Sequence, residues 1–323
     1  MNRVLVVGLP RSGTTWVGRV LAATPGTEYV GEPDNPLRFP FALRACRQLG
    51  SGHYPILVPD DDAPDYERLW VCAFGLTRGG GLDGLRRAVS RRLLQRSSPA
   101  RVRSALRGEA PGLPLRAVER LAVPEEPRRL ADDLLVKSVY APLSVEWIAR
   151  RIPLKIAVVL RSPMNILSSW VQLGWLGRSG DDMLDLVSEE AQWELTTRWS
   201  VPPPESGTSV VARAAWVVGA FSCGLIDAAA RNPGWIVVRH EDLCAAPSER
   251  YRTLADTLGL TWSEGVEEVL AHMNRPGRGM EPFRVAGDLG DVWRTRLTPQ
   301  QIDEALTVLD RFPLDERLVS RVP

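Results

Sequence analysis

Short, continuous apolar runs recur along the chain, and most are followed by a segment of helical periodicity. Residues 3–8 (RVLVVG) form such a run ending in glycine, which reads as a strand buried on both faces of a parallel sheet. Residues 14–23 (TTWVGRVLAA) then read as a helix stopped by Pro25 and Gly26, so the chain opens with strand, glycine loop and helix. Residues 27–31 (TEYVG) are a second short strand candidate. The alternation returns near residue 130. LLVKS (134–138) and KIAVVL (155–160) read as strands, and 142–151 and 163–173 as helices, the first of them opening with a proline in its first turn. ARAAWVVGAFSCGLIDAAAR (212–231) is a long apolar helix, and WIVVRHEDL (235–243) is a strand running into a turn. SERYRTLADTLGL (248–260) is a helix with a glycine stop. Residues 298–312 form a last helix, with Thr298 as N-cap and Pro299 in its first position. Strands alternating with helices predict an α/β protein with a central, mainly parallel sheet.

Two regions break this rhythm. Residues 32–59 are rich in proline, arginine and aromatics and give no clear period. Residues 82–107 place eight arginines among leucines, valines and alanines, which reads as one or two amphipathic helices. Those arginines fit either a solvated helix face or a basic rim that attracts an anionic ligand. The organisation expected is therefore one domain over 1–323, carrying a helical, arginine-rich insertion over about 40–130 that shapes a substrate site.

The whole-chain figures narrow the classes. A length of 323 residues with 44% apolar and 24% charged residues suits a packed globular protein. The net charge of +1 lends no support to nucleic-acid binding. The cysteines Cys46, Cys72, Cys223 and Cys244 are scattered, form no CxxC pair and have no histidine at zinc-ligand spacing, so no metal and no disulfide framework is expected. No membrane-spanning stretch free of charges is expected either, and a soluble, cytoplasmic protein fits best. The sequence leaves the oligomeric state open.

The most informative stretch is Gly8-Leu9-Pro10-Arg11-Ser12-Gly13-Thr14-Thr15-Trp16. It has the outline of the phosphate loop GxxxxGK[ST], in which backbone N–H groups and a helix N-terminus hold an anion. The lysine of the nucleoside triphosphate version is missing. Thr14 stands in its place, and the cation comes earlier, at Arg11. A second signature follows the strand 155–160: Arg161-Ser162-Pro163, with Ser169 eight residues after Arg161. An arginine leaving a strand end is a rigid bidentate donor for phosphate, and a serine two turns into the next helix can reach back to the same group.

Together these motifs resemble the sulfotransferases that use 3′-phosphoadenosine 5′-phosphosulfate (PAPS), whose loop is written PKSGTTW or PRSGTTW and whose second motif has the form R-x-P-x-x-x-x-x-S. Two further segments are similar to the family's late patterns: 237–260, where His240 takes the place of a usual tyrosine, and 288–304. The resemblance implies a P-loop-like three-layer α/β/α fold. It implies that Arg11, Ser12, Gly13, Thr14 and Thr15 bind the 5′-phosphate, with Trp16 against the adenine. Arg161, Ser169 and Arg284 are the implied ligands of the 3′-phosphate. Lys137 matches a lysine the family places near the transferring group, with Ser138 as a weaker candidate, and Arg11 is placed to stabilise the leaving phosphate. Cytosolic small-molecule members carry a histidine base two residues after that lysine. Here Val139 stands there. Another branch uses a glutamate after the second strand, which Glu32 matches, with Asp34 in reserve. The implied reaction is sulfuryl transfer to a hydroxyl or amine of a small-molecule, natural-product or carbohydrate acceptor. Two other readings stay open: a phosphate-loop kinase acting on a small molecule, and a non-catalytic adenylate-binding protein.

Overall fold

A computed structural model describes residues 2–128, 131–176, 182–275 and 291–314. The strands are β1 (Asn2–Gly8), β2 (Thr27–Gly31), β3 (Asp133–Ser138), β4 (Lys155–Leu160) and β5 (Ile236–Arg239). They form one sheet in the order β2-β3-β1-β4-β5, and every neighbouring pair is parallel. Because the strands are parallel, all five C-terminal ends lie on one edge. In sheets of this type the ligand crevice opens there.

Residues alternate between the two faces of a strand, and β1 shows this directly. Leu5 and Val7 join the apolar core on one face, and Val4 and Val6 join the core on the other. The continuous apolar runs of the sequence therefore arise because helices cover both faces. Helix α1 (Thr14–Leu21) packs on the Val4 face. Between β2 and β3 lie α2 (Pro40–Leu49), α3 (Pro64–Ala73), α4 (Asp83–Gln95), α5 (Pro99–Leu106) and α6 (Leu113–Leu121). Helices α4, α5 and α6 bury a small core of their own against α2, with Leu43, Cys46, Leu94, Val102, Leu115 and Val118 among its members. The irregular 32–59 stretch thus holds one helix, begun by Pro40 at its first position and ended by Gly50 in the left-handed conformation.

The chain then continues through α7 (Val145–Arg151), α8 (Pro163–Gln172), α9 (Glu189–Trp199) and α10 (Val210–Arg231). Helix α7 starts three residues later than the sequence pattern predicts, so Pro142 lies in the preceding turn rather than in the first helical turn. Helix α10 is long and apolar enough to cross a membrane, yet 78% of its most apolar window is buried inside the protein. It packs against β4 and α8, which explains its composition as a core helix. After β5 come α11 (His240–Ala245), α12 (Pro247–Leu258), α13 (Glu264–Met273), α14 (Trp293–Arg296) and α15 (Pro299–Leu309). The run 235–243 is therefore a four-residue strand followed at once by a helix, a shorter strand than its apolar residues suggest. Thr298 caps α15 with a reciprocal capping box to Gln301.

Candidate active site

Each strand delivers one chemically distinctive residue at its C-terminal end. Ordered across the sheet these are Glu32 after β2, Lys137 within β3, the Arg11 loop after β1, Arg161 after β4 and His240 after β5. Adjacent strands lie about 4.8 Å apart, so this edge is a graded row spanning roughly 19 Å from carboxylate to imidazole. All five residues line one cleft of about 370 Å³.

The loop takes its shape from two left-handed residues, Arg11 (φ 71°) and Gly13 (φ 99°). Gly13 is required twice over. Its φ suits glycine, and a Cβ there would lie 2.5 Å from Cδ2 of His240. The loop then feeds α1, whose first-turn N–H groups and positive end face the cleft at Thr14, Thr15 and Trp16. Ser12 turns away from the lining. It is buried, and its hydroxyl has no protein hydrogen-bond partner.

The second anion site is joined to the first. Arg11 donates from Nε to Ser169 Oγ at 2.9 Å, and Arg161 donates from Nη1 to the Arg11 carbonyl at 2.7 Å. Burial pushes the Arg161 guanidinium down to about 10, countered by nearby Glu241. Glu241 in turn accepts from the Ser162 N–H (3.0 Å) and from Asn165 Nδ2 (3.2 Å), which ties the start of α8 to α11. Trp170, beside Ser169 two turns into α8, donates from Nε1 to the Pro10 carbonyl at 3.2 Å. Helix α8 thus holds the loop from the side while presenting Ser169 to the cleft.

At the other end, Lys137 is almost fully buried and its ammonium is ion-paired with Glu32. Glu32 is held by a backbone hydrogen bond from its N–H to the Lys137 carbonyl and has a left-handed φ of 53°, a strained setting for a side chain with a Cβ. Asn35 donates to its second oxygen at 3.1 Å. Asp34 lies behind the wall and is fully buried. Ser138 donates to its Oδ2 at 2.5 Å and itself accepts from the N–H groups of Tyr140 and Ala141. Burial raises the Asp34 carboxyl to about 7, opposed by the Ser138 hydrogen bond. Of the two carboxylates after β2, only Glu32 reaches the cleft.

His240 closes the far end. Burial, with help from the Arg161 charge, pushes it down to about 3, so it is neutral at any physiological pH. Its Nδ1 lies 3.2 Å from Cys244 Sγ, and its ring sits 5.7 Å from that of Trp16, which also packs edge-on against Tyr251. Sequence reasoning missed the lining groups Asn35, Gln172, Arg296, Tyr140 and Trp175. Arg296 lines the cleft from α14, which packs against α8, so it is a third guanidinium beside Arg11 and Arg161. Tyr140 and Trp175 form apolar wall, and Tyr140 stacks on Tyr54 with ring centres 5.7 Å apart. Arg284 lies outside the described residues.

No family model matches the chain, and no curated protein matches it. Among solved structures, it is similar to the sulfotransferase domain of the olefin synthase from Synechococcus PCC 7002. The identity is 17% and the TM-score 0.42, with 97% of this chain and 96% of that one covered. It is also similar to a sulfotransferase domain from the curacin biosynthetic pathway, at 13% identity and a TM-score of 0.43, covering 97% and 99% of the two chains. A mouse sulfotransferase complexed with PAP overlaps at 12% identity and a TM-score of 0.39, covering 95% and 83%. Likenesses of this degree leave the function to be read from the site itself.

Proposed function

We propose that this chain is a sulfotransferase that uses PAPS as donor, with Glu32 as the base that takes the acceptor's proton. The observation that carries the reading is the row of residues along the sheet edge: two linked anion sites at the centre, and a carboxylate–ammonium pair on the next two strands, Lys137 on β3 and Glu32 after β2. A donor with two phosphates matches two adjoining cationic sites, one in the Arg11 loop and one formed by Arg161 and Ser169, which Arg11 links. The residues present fit such a ligand. The N-terminal end of α1 and three arginines, Arg11, Arg161 and Arg296, converge on one cleft. A kinase reading is weaker because Thr14 occupies the position where a triphosphate loop needs its lysine.

When bound, the donor supplies an activated sulfuryl group. The protein's part is positional and electrostatic. The loop N–H groups and Arg11 neutralise charge that grows on the departing phosphate oxygen. Arg161 and Ser169 fix the opposite end of the nucleotide, and this sets the line along which transfer occurs. Lys137 lies between the base and the loop, within the row, and stabilises negative charge at the transferring group. Glu32 removes the proton from the acceptor hydroxyl or amine as attack proceeds, a contribution typically of about a hundredfold to ten-thousandfold. The apolar wall of Tyr140 and Trp175 suits a small organic acceptor better than a polyanion.

Calorimetric titration with 3′,5′-adenosine bisphosphate beside ATP–magnesium tests the donor assignment. Micromolar or tighter binding of the bisphosphate with weak ATP binding is the expected result, and the reverse preference would refute it. Arg161→Ala should weaken bisphosphate binding by about ten- to hundredfold, the worth of a charge-assisted hydrogen-bond set, and change ATP binding little.

A further inference from the structure

The insertion carries charge out of proportion to the chain. Between residues 82 and 120 there are ten arginines and three carboxylates, a net of +7 in a protein of net charge +1, so the remainder carries −6. Several of these arginines are internally paired, as Arg87 is with Glu126 and Arg91 with Glu125. The outer face of α4 is different. Leu82, Leu85, Val89, Arg92 and Arg96 are spaced 3, 4, 3 and 4 apart and so fall on one stripe of the helix. The three apolar members are 74%, 65% and 41% exposed. Arg92 and Arg96 are exposed and have no carboxylate within ion-pair distance among the described residues. A ridge of exposed leucine and valine leading into two arginines has the composition of an interface rather than of an ordinary solvated helix.

The same chain carries the complement. On α9, Trp193 is 71% exposed, a large apolar surface to leave in water, and Glu189 and Glu190 flank it one turn toward the N-terminus. Along α4 the order is apolar then basic. Along α9 it is acidic then aromatic. The two stripes therefore match when the helices run antiparallel. Val89 to Arg92 and Glu190 to Trp193 are each three residues, about 4.5 Å of helix, so the apolar and charged contacts fall in register together. This arrangement also sets arginines at the C-terminal end of α4 against glutamates at the N-terminal end of α9, where each charge suits its own helix dipole.

We propose that the α4 stripe is a docking surface for the α9 stripe of a second copy of this chain. Trp193 is the anchor that packs on Leu85 and Val89, and Arg92 and Arg96 set the register against Glu189 and Glu190. This proposal is independent of the sulfotransferase reading.

Sedimentation equilibrium on the full chain tests it. The wild type should associate at micromolar concentration, and added salt should weaken the association. Trp193→Ala should raise the dissociation constant by about tenfold or more, with the fold unaffected because the side chain is exposed. Charge reversal separates docking from misfolding. R92E/R96E and E189R/E190R should each associate poorly alone, and their equimolar mixture should recover association, because the reversed α4 face then meets a reversed α9 face. A wild type that stays monomeric at every concentration and salt level would overturn the proposal. So would association that survives both charge reversals, or a stripe whose substitutions abolish binding to anionic vesicles without affecting self-association.

Discussion

Ser12 has a buried hydroxyl beneath the anion loop with no protein hydrogen-bond partner, and such a group costs about 1–3 kcal/mol when it is left unsatisfied. Ser12→Ala should therefore gain roughly 1 kcal/mol in urea unfolding of the free protein. Because the side chain turns away from the cleft, bisphosphate affinity should be unchanged, and a clear loss of affinity would mean that the hydroxyl reaches the ligand. Glu32 presents the reverse case. It is the ion-pair partner of a lysine that is nearly fully buried, so Glu32→Gln removes a base and also leaves an ammonium facing a neutral amide. Loss of a buried partner costs up to 3–5 kcal/mol, and the partial exposure of Glu32 brings the expectation down to about 1–2 kcal/mol. The E32Q/K137M double variant should recover that stability without recovering turnover. If E32Q turns over normally, Glu32 is not the base. If turnover returns along with stability in the double variant, its role is structural.

At the level of elements, the loop depends on α8 as much as on its own glycines. Arg161 at the strand end, Ser169 and Trp170 within α8 and the Pro10 and Arg11 carbonyls form one hydrogen-bonded bracket. Arg161→Lys should not restore donor binding, because an ammonium cannot hold the Arg11 carbonyl and present a planar fork to phosphate at once. A lysine variant that binds the bisphosphate as tightly as the wild type would show that charge alone suffices there. Strands β1, β3 and β4 and the motifs on them were readable because parallel strands buried on both faces leave continuous apolar runs, and because anion loops require small residues at fixed spacing. Helix α2 was not readable. Its periodicity is short and interrupted by arginines, and its existence depends on contacts with α5 and α6 far along the chain. Arg296 was missed for a similar reason. Only the packing of α14 on α8 brings it to the cleft, and no local spacing encodes that contact. Of the two acids after β2 the resemblance put Glu32 first with Asp34 in reserve, and their separation into one lining group and one buried group comes from the turn that Ser138 builds behind the wall.

For the whole molecule, the pH dependence of stability follows from three buried groups that titrate abnormally. Burial and the neighbouring Arg103 and Arg107 push His53 down to about 3, and burial with Arg161 and Arg11 does the same to His240. Both rings stay neutral in the folded protein while the unfolded chain takes up their protons below about 6.5. Each therefore contributes stability that is complete above about pH 6.5 and lost as pH falls toward 3. Asp34 acts in the opposite sense. Its carboxyl is raised to about 7 by burial beside Glu32, against the pull of Ser138 and Lys137, so the folded state holds a proton that the unfolded chain releases above about 4. Its contribution is complete below about pH 4 and lost as pH rises through 7. Between about pH 4 and 6.5 two histidines oppose one carboxyl, so from these groups stability should rise by about one proton's worth, roughly 1.4 kcal/mol per pH unit, and then turn slightly downward toward pH 7. Urea unfolding across this range checks the balance. Asp34→Asn should steepen the rise to about two protons' worth and abolish the downturn. His53→Asn should flatten the rise, and because His53 lies outside the cleft it should do so without altering bisphosphate affinity. An unchanged slope in the Asp34 variant would mean that this carboxyl is ionised throughout, and the Ser138 turn would then be holding a buried charge rather than a shared proton.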